Sequence, residues 1–115
     1  MSRPHRSVSK AERRSAAPIF AALGDETRLG LLARLGAGEP LSIVRLADGA
    51  PVTRQAITKH LRVLAKAGLV KDARHGRERL WELEPEPLEK ARHYLDQISR
   101  QWDEALGRLK ALVER

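Results

Sequence analysis

Apolar residues in this chain recur in blocks of helical period, separated by short polar breaks rich in glycine and proline. "APIFAAL", residues 17–23, predicts a first helix that stops at Gly24, a residue suited to the left-handed conformation past a helix end. Asp25 is placed to cap the next helix, "ETRLGLLARL". There Leu29, Leu32 and Leu35, flanked by Thr27 and Leu31, make the stripe expected to face the core. "GAGEP" ends that helix, and Ser42 can cap a short one, "IVRLAD", whose Ile43, Val44, Leu46 and Ala47 are apolar. "GAPV" breaks the chain again before Thr53 caps a longer helix. Val52 and Ile57 stand at the two positions of a hydrophobic staple. A short helix, a tight glycine-containing turn and a longer helix predict a helix-turn-helix.

After Gly68 the period changes to two. "LVKDAR" and "RERLWEL" flank "HG", Trp81 and Leu83 alternate with Leu80 and Glu82, and Gly76 marks the tip of a predicted β-hairpin. "EPEP" follows, with Pro87 suited to a first helical turn. The last helix has the most regular pattern. Leu88, Ala91, Leu95, Ile98, Trp102, Ala105, Leu109 and Leu112 are spaced alternately three and four apart, a heptad seam. Such a seam predicts a helix on the order of 42 Å long that packs against a second copy of the chain. The fold class expected is mainly α with a small β-hairpin wing: a winged helix-turn-helix.

"VTRQAITKHLRVLAKAGLV", residues 52–70, carries the functional signal. With Ile57 at the origin of a helical wheel, Leu61 and Leu64 fall within about 40° of it. Gln55, Thr58, Lys59, Arg62 and Lys66 fall between about 100° and 200°. One flank is therefore dry and the other is crowded with donors. Glutamine can pair with adenine, threonine can meet thymine, arginine can grip guanine, and both arginine and lysine neutralise phosphate. Gln55 and Thr58, near the helix start, are the expected base readers. Thr53 caps the helix there, and Arg54 and Lys59 are shared between bases and phosphate. Arg62 and Lys66 are expected on phosphate. His60 borders the apolar face, which leaves two readings: a histidine bonded within the fold, or a phosphate contact.

Charge sharpens this picture. The net charge is +7; residues 53–79 hold eight Lys/Arg against two acids, and residues 1–16 five against one. Arg74, His75, Arg77 and Arg79, with Lys71, surround the hairpin tip, as expected of a wing along a sugar-phosphate backbone. A basic stripe alone is a weak signal, because solvated helix faces are often charged. The short capped helix before it and the basic hairpin after it favour double-stranded DNA as the partner. "MSRPHRSVSKAERRS" lacks a packed apolar pattern, so residues 1–16 are expected as a basic flexible tail, with helix starting from about Lys10, and residues 17–115 as the DNA-binding and dimerisation domain.

There is no cysteine, which excludes disulfides and thiolate metal sites. No apolar run approaches membrane-spanning length and no signal-peptide core is visible, so a soluble cytoplasmic protein is expected. No nucleophile elbow, phosphate-binding loop or His–Glu zinc signature offers catalysis a foothold, and an enzyme is not expected.

"LSIVRLADGAPVTRQAITKHLRVLAKAGLV", followed by "RHGRERLWEL", resembles the ArsR family of bacterial winged-helix repressors. The family core is matched by Thr53, Thr58, His60, Leu61 and Leu64, then by Ala67, Gly68, Leu69 and Val70. Upstream, "ALGDETRLGLLARL" is similar to a second family segment through Asp25, Thr27 and Arg28. The resemblance covers roughly residues 17–112. It implies a homodimer built from the first and last helices, with Ile19 and Phe20 joining the heptad seam, that represses by binding a palindromic operator. Many members of that family hold metal through cysteines on the helix before the recognition helix. Here Ile43, Val44 and Arg45 stand instead. His93 and Asp96, one turn apart, fall short of the four ligands a closed site needs and are expected as a surface polar pair. No metal or cofactor is expected, and the effector is left open as organic, proteinaceous or absent. Trp102 is expected in dimer packing rather than around a small-molecule cavity. Two other functions fit the residues: a protein-interaction module using the heptad helix, and non-specific nucleic-acid packaging.

Overall fold

The structure, a computed structural model, describes residues 8–114. Helix α1 (Lys10–Leu23) is followed by α2 (Glu26–Leu35), α3 (Ile43–Ala47), α4 (Arg54–Lys66), strands β1 (Val70–His75) and β2 (Glu78–Leu83), and α5 (Pro85–Val113). Four helices start at a side-chain cap: Ser9, Asp25, Ser42 and Thr53 accept from the backbone N–H groups of Glu12, Arg28, Arg45 and Ala56. Each cap satisfies a donor that the first turn leaves without a partner.

Helix α1 begins at Lys10, about where helix was expected to start within the tail and seven residues before the apolar stretch at residue 17. Ser9 and Glu12 form a reciprocal capping box, which starts the helix within the polar stretch, and Ala16 is buried. The expected boundary at residue 17 therefore falls inside a helix; residues 1–7 of the expected tail lie outside the described residues. Gly24 ends α1 but at φ −80°, not left-handed, because its N–H closes a tight turn onto Ala21 O and Asp25 caps α2 immediately after.

The core is drawn from every element. Ile19 and Ala22 of α1, Leu31, Leu32 and Leu35 of α2, Leu46 of α3, Ile57, Leu61 and Leu64 of α4, then Leu69, Val70, Trp81 and Ala91 form one buried cluster. The expected α2 stripe is shifted: Leu31 is buried and Leu29 is exposed. Helix α2 packs against α1, α4 and β2 together, which rotates its buried arc toward Leu31.

β1 and β2 pair antiparallel, Val70 opposite Leu83 and His75 opposite Glu78. Gly76 turns the tip at φ +67°, a conformation that side chains with a Cβ rarely adopt. Leu41 and Trp81 exchange both backbone hydrogen bonds, at 2.9 and 2.8 Å, so the loop before α3 extends the sheet by one bridge and pins the wing beside the helix-turn-helix. α5 packs mainly on α1, with the Phe20 and Tyr94 rings 5.8 Å apart and tilted by 57°. Among the described residues, no helix is long and apolar enough to cross a membrane.

Candidate nucleic-acid interface

Helix α4 enters from a turn in which Gly49 takes φ +73° after α3, and α3 and α4 pack on each other. Ile57, Leu61 and Leu64 are 1%, 0% and 0% exposed, which fixes the rotation of α4 about its axis. That rotation leaves Arg54, Gln55, Lys59, Arg62 and Lys66 exposed along the opposite flank. Thr58 is half-buried, and its hydroxyl donates to Arg54 O at 2.9 Å, as a threonine in mid-helix commonly does. Thr53 is engaged as the N-cap through its Oγ1, 3.1 Å from Ala56 N.

His60 is drawn inward. Its Nδ1 lies 3.2 Å from Arg28 Nη1 and 3.8 Å from Asp25 Oδ2, and its side chain is 23% exposed. Of the two readings open for His60, this geometry supplies the bond within the fold through Nδ1. The residue types of the cluster are visible in the sequence, but their meeting across thirty-two positions is not. The Arg28 N–H bond, reinforced by the Arg28 guanidinium, holds the Asp25 carboxyl below its usual range.

On the wing, Arg74, His75, Arg77 and Arg79 are all exposed, with Arg74 directly opposite Arg79. The basic side chains are not equally available. Arg79 Nε is 3.0 Å from Asp72 Oδ2. Lys71 Nζ is 2.9 Å from Glu84 and 3.5 Å from Glu82, a pairing that raises its pKa, Glu84 first. Among the described residues, Arg74 and Arg77 have no acidic partner within ion-pair distance.

The residues expected at a dimer interface divide into two groups. Ile19 and Ala91 are 5% and 4% exposed and are filled by the chain's own core, because α1 and α5 pack face to face there. Phe20 and Leu88 are half-buried against the same core. Ile98 is half-buried and Ala105 exposed. Leu95, Trp102, Leu109 and Leu112 are 50% to 65% exposed, joined by Leu106, which the seam did not include. His93 and Asp96 are both exposed, and His93 also borders a cavity of about 170 Å³ between α1 and α5 with Glu12, Ser15, Ala16, Lys90 and Tyr94. Among the described residues, no group of three or more His, Cys, Asp or Glu side chains is arranged to hold a metal ion.

A short capped helix, a glycine turn, a donor-lined second helix and a basic hairpin pinned beside them define a winged helix-turn-helix, the class of DNA-binding transcriptional regulators. A helix-turn-helix domain family model matches residues 23–73, from the end of α1 into β1. The HTH-type transcriptional regulator Rv2034 of Mycobacterium tuberculosis is 39% identical over 101 residues, covering 88% of this chain and 91% of that regulator. The HTH-type transcriptional regulator YuzN of Bacillus subtilis is 42% identical over 76 residues, covering 61% of this chain and 83% of its own. An ArsR-like transcriptional regulator from Rhodococcus sp. RHA1 superposes with a TM-score of 0.77 at 38% identity, covering 89% of this chain and 95% of that one. The chain belongs to the ArsR family of helix-turn-helix transcriptional regulators.

Proposed function

We propose that the protein is a cytoplasmic repressor that binds a palindromic operator as a homodimer. One observation carries this reading: the complete burial of Ile57, Leu61 and Leu64, with Gln55, Lys59, Arg62 and Lys66 left in solvent on the other flank of α4. Gln55 and Thr58 read base edges in the major groove. Arg54 and Lys59 are shared between bases and phosphate, and Arg62 and Lys66 hold phosphate. Arg74 and Arg77 lay the wing along the adjacent backbone. The second copy packs on the exposed seam of α5 around Leu95, Trp102 and Leu109. A two-fold axis through that seam sets two recognition helices about 34–36 Å apart on one face of the duplex. Where the operator overlaps a promoter, the bound dimer excludes polymerase.

Sequencing the DNA fragments retained by the purified protein identifies the operator. Titration of that operator against a scrambled duplex at several salt concentrations then tests the reading. A preference on the order of 10³ or more is expected. Equal affinity for both duplexes, lost in parallel with salt, would replace specific regulation with non-specific packaging.

A further inference from the structure

We propose that Arg28 is a positioning residue of the DNA-reading surface: its guanidinium clamps the C-terminal end of α1 to His60 on α4 and so sets the pose of the recognition helix. The proposal rests on α4 being the helix that reads DNA.

Three bonds leave one planar group. Arg28 Nε donates to Ala22 O at 2.6 Å, Nη2 to Ala21 O at 3.4 Å, and Nη1 to His60 Nδ1 at 3.2 Å. Ala21 and Ala22 belong to the last turn of α1, where carbonyls lack the usual partner four residues on; Ala21 O also accepts from Gly24 N. That turn has no basic residue of its own, so Arg28 supplies from α2 the positive charge that a helix C-terminus favours. Asp25 holds the donor from the other end, accepting from Arg28 N at 3.0 Å. The fork geometry of a guanidinium lets one side chain make the carbonyl and imidazole bonds together, which a lysine ammonium on a single stem cannot reproduce.

The bond to His60 also fixes a proton. A guanidinium only donates, so in this bond Nδ1 accepts through its lone pair, which places the ring hydrogen on Nε2. His60 stands between the buried residues Ile57, Leu61 and Leu64 and the exposed Lys59 and Arg62. A bond at this border resists rotation of α4 about its axis, the motion to which base contacts by Gln55 are most sensitive. Because α1 is also the helix that packs on α5, the clamp joins the reading helix to the element carrying the exposed seam.

The test compares the full-length chain with Arg28→Lys, His60→Leu, His60→Asn and the Arg28→Lys/His60→Leu double variant. Affinity for the retained operator is measured by anisotropy under conditions where circular dichroism shows each variant folded. Asparagine places an acceptor near the position of Nδ1, whereas leucine does not. Loss of a charge-assisted bond predicts about tenfold weaker binding for Arg28→Lys and for His60→Leu, with His60→Asn within about threefold of the parent. The double variant should be no weaker than the weaker single one, since both remove the same bond. Folded Arg28→Lys and His60→Leu proteins that bind like the parent, or a His60→Asn protein as weak as His60→Leu, would overturn the clamp. Long-range nitrogen–proton NMR of the DNA-free protein supplies an independent readout. A hydrogen on His60 Nε2 is expected, with α4 amide shifts that move in Arg28→Lys; a hydrogen on Nδ1, or unmoved α4 shifts, rejects the clamp. If the parent itself shows no operator preference, the reading of α4 fails, and the NMR result still decides the contact.

Discussion

Thr58 donates its hydroxyl proton to Arg54 O, four residues back on the same helix, at 2.9 Å. Thr58 is therefore left with its methyl group and the two acceptor lone pairs of Oγ1, not a free donor. Gln55 keeps a full amide in solvent. The two expected base readers thus differ in chemistry: Gln55 is suited to a bidentate contact with adenine, and Thr58 to the methyl of thymine.

Replacing Gln55 with alanine should relax preference at one base pair by about 1–3 kcal/mol and leave the others unchanged. Thr58→Val keeps the methyl and should retain most of the preference that Thr58→Ala loses. Binding to a set of operators carrying single base changes measures both effects. Unaltered specificity in Gln55→Ala would remove Gln55 from base reading.

On the wing, Arg77→Ala should weaken all duplexes alike and reduce the salt slope by about 1, the signature of a lost phosphate contact. Arg79→Ala should do less, because the Arg79 guanidinium is already held by Asp72. Asp72→Asn frees that guanidinium and should strengthen non-specific binding. The three variants are ranked by titration at several salt concentrations, and an Arg79 effect equal to that of Arg77 contradicts the pairing argument.

The seam of α5 gives a separate test. If α5 carries the proposed dimer contact, Leu95→Asp or Trp102→Asp should sediment at half the mass of the parent with the helical signal retained, since both side chains are at least half exposed within one chain. An unchanged mass removes the α5 seam from the proposed dimer.

Stability should separate Leu61 from Leu29. Leu61 is completely buried, so Leu61→Ala should lose about 2–5 kcal/mol. Leu29 is 51% exposed, so Leu29→Ala should change stability by no more than about 0.5 kcal/mol in the monomeric variant. Urea unfolding reads both.

Acid should weaken the fold through its caps. Hydrogen bonds from the Arg28 and Ser9 N–H groups hold the Asp25 and Glu12 carboxyls below their ordinary range. The folded state therefore binds these protons less readily than the unfolded chain. The stabilisation is complete above the ordinary carboxyl range, about pH 4, and is lost as pH falls through the lower folded values. Asp25→Asn retains a cap acceptor but not the titration, so its stability should fall less steeply on acidification. Denaturation at a series of pH values checks the slope.

Much of the fold was legible because its signals are local. Asp25, Ser42 and Thr53 announce three helix starts through side chains that reach only to the next turn. The Ile57, Leu61 and Leu64 stripe survives because α4 carries its apolar residues on one arc. Periodicity failed where a helix has several neighbours. Leu29 and Leu31 both border the apolar arc of α2, and only the placement of α1, α4 and β2 decides which is covered. At residues 10–16 a capping box rather than apolar content begins the helix.

The sequence by itself determined the succession of elements, the dry and wet flanks of α4, and the concentration of positive charge on that helix and the wing. These depend on spacing and on residue type within a few turns. Tertiary structure decided which cations are free: Asp72 and Glu84 reach Arg79 and Lys71 only through strand pairing and the return of the chain beside β1. It likewise drew His60 inward to Arg28 and divided the α5 seam between the chain's own core and solvent. Such outcomes depend on contacts between residues far apart in sequence, which no local pattern records.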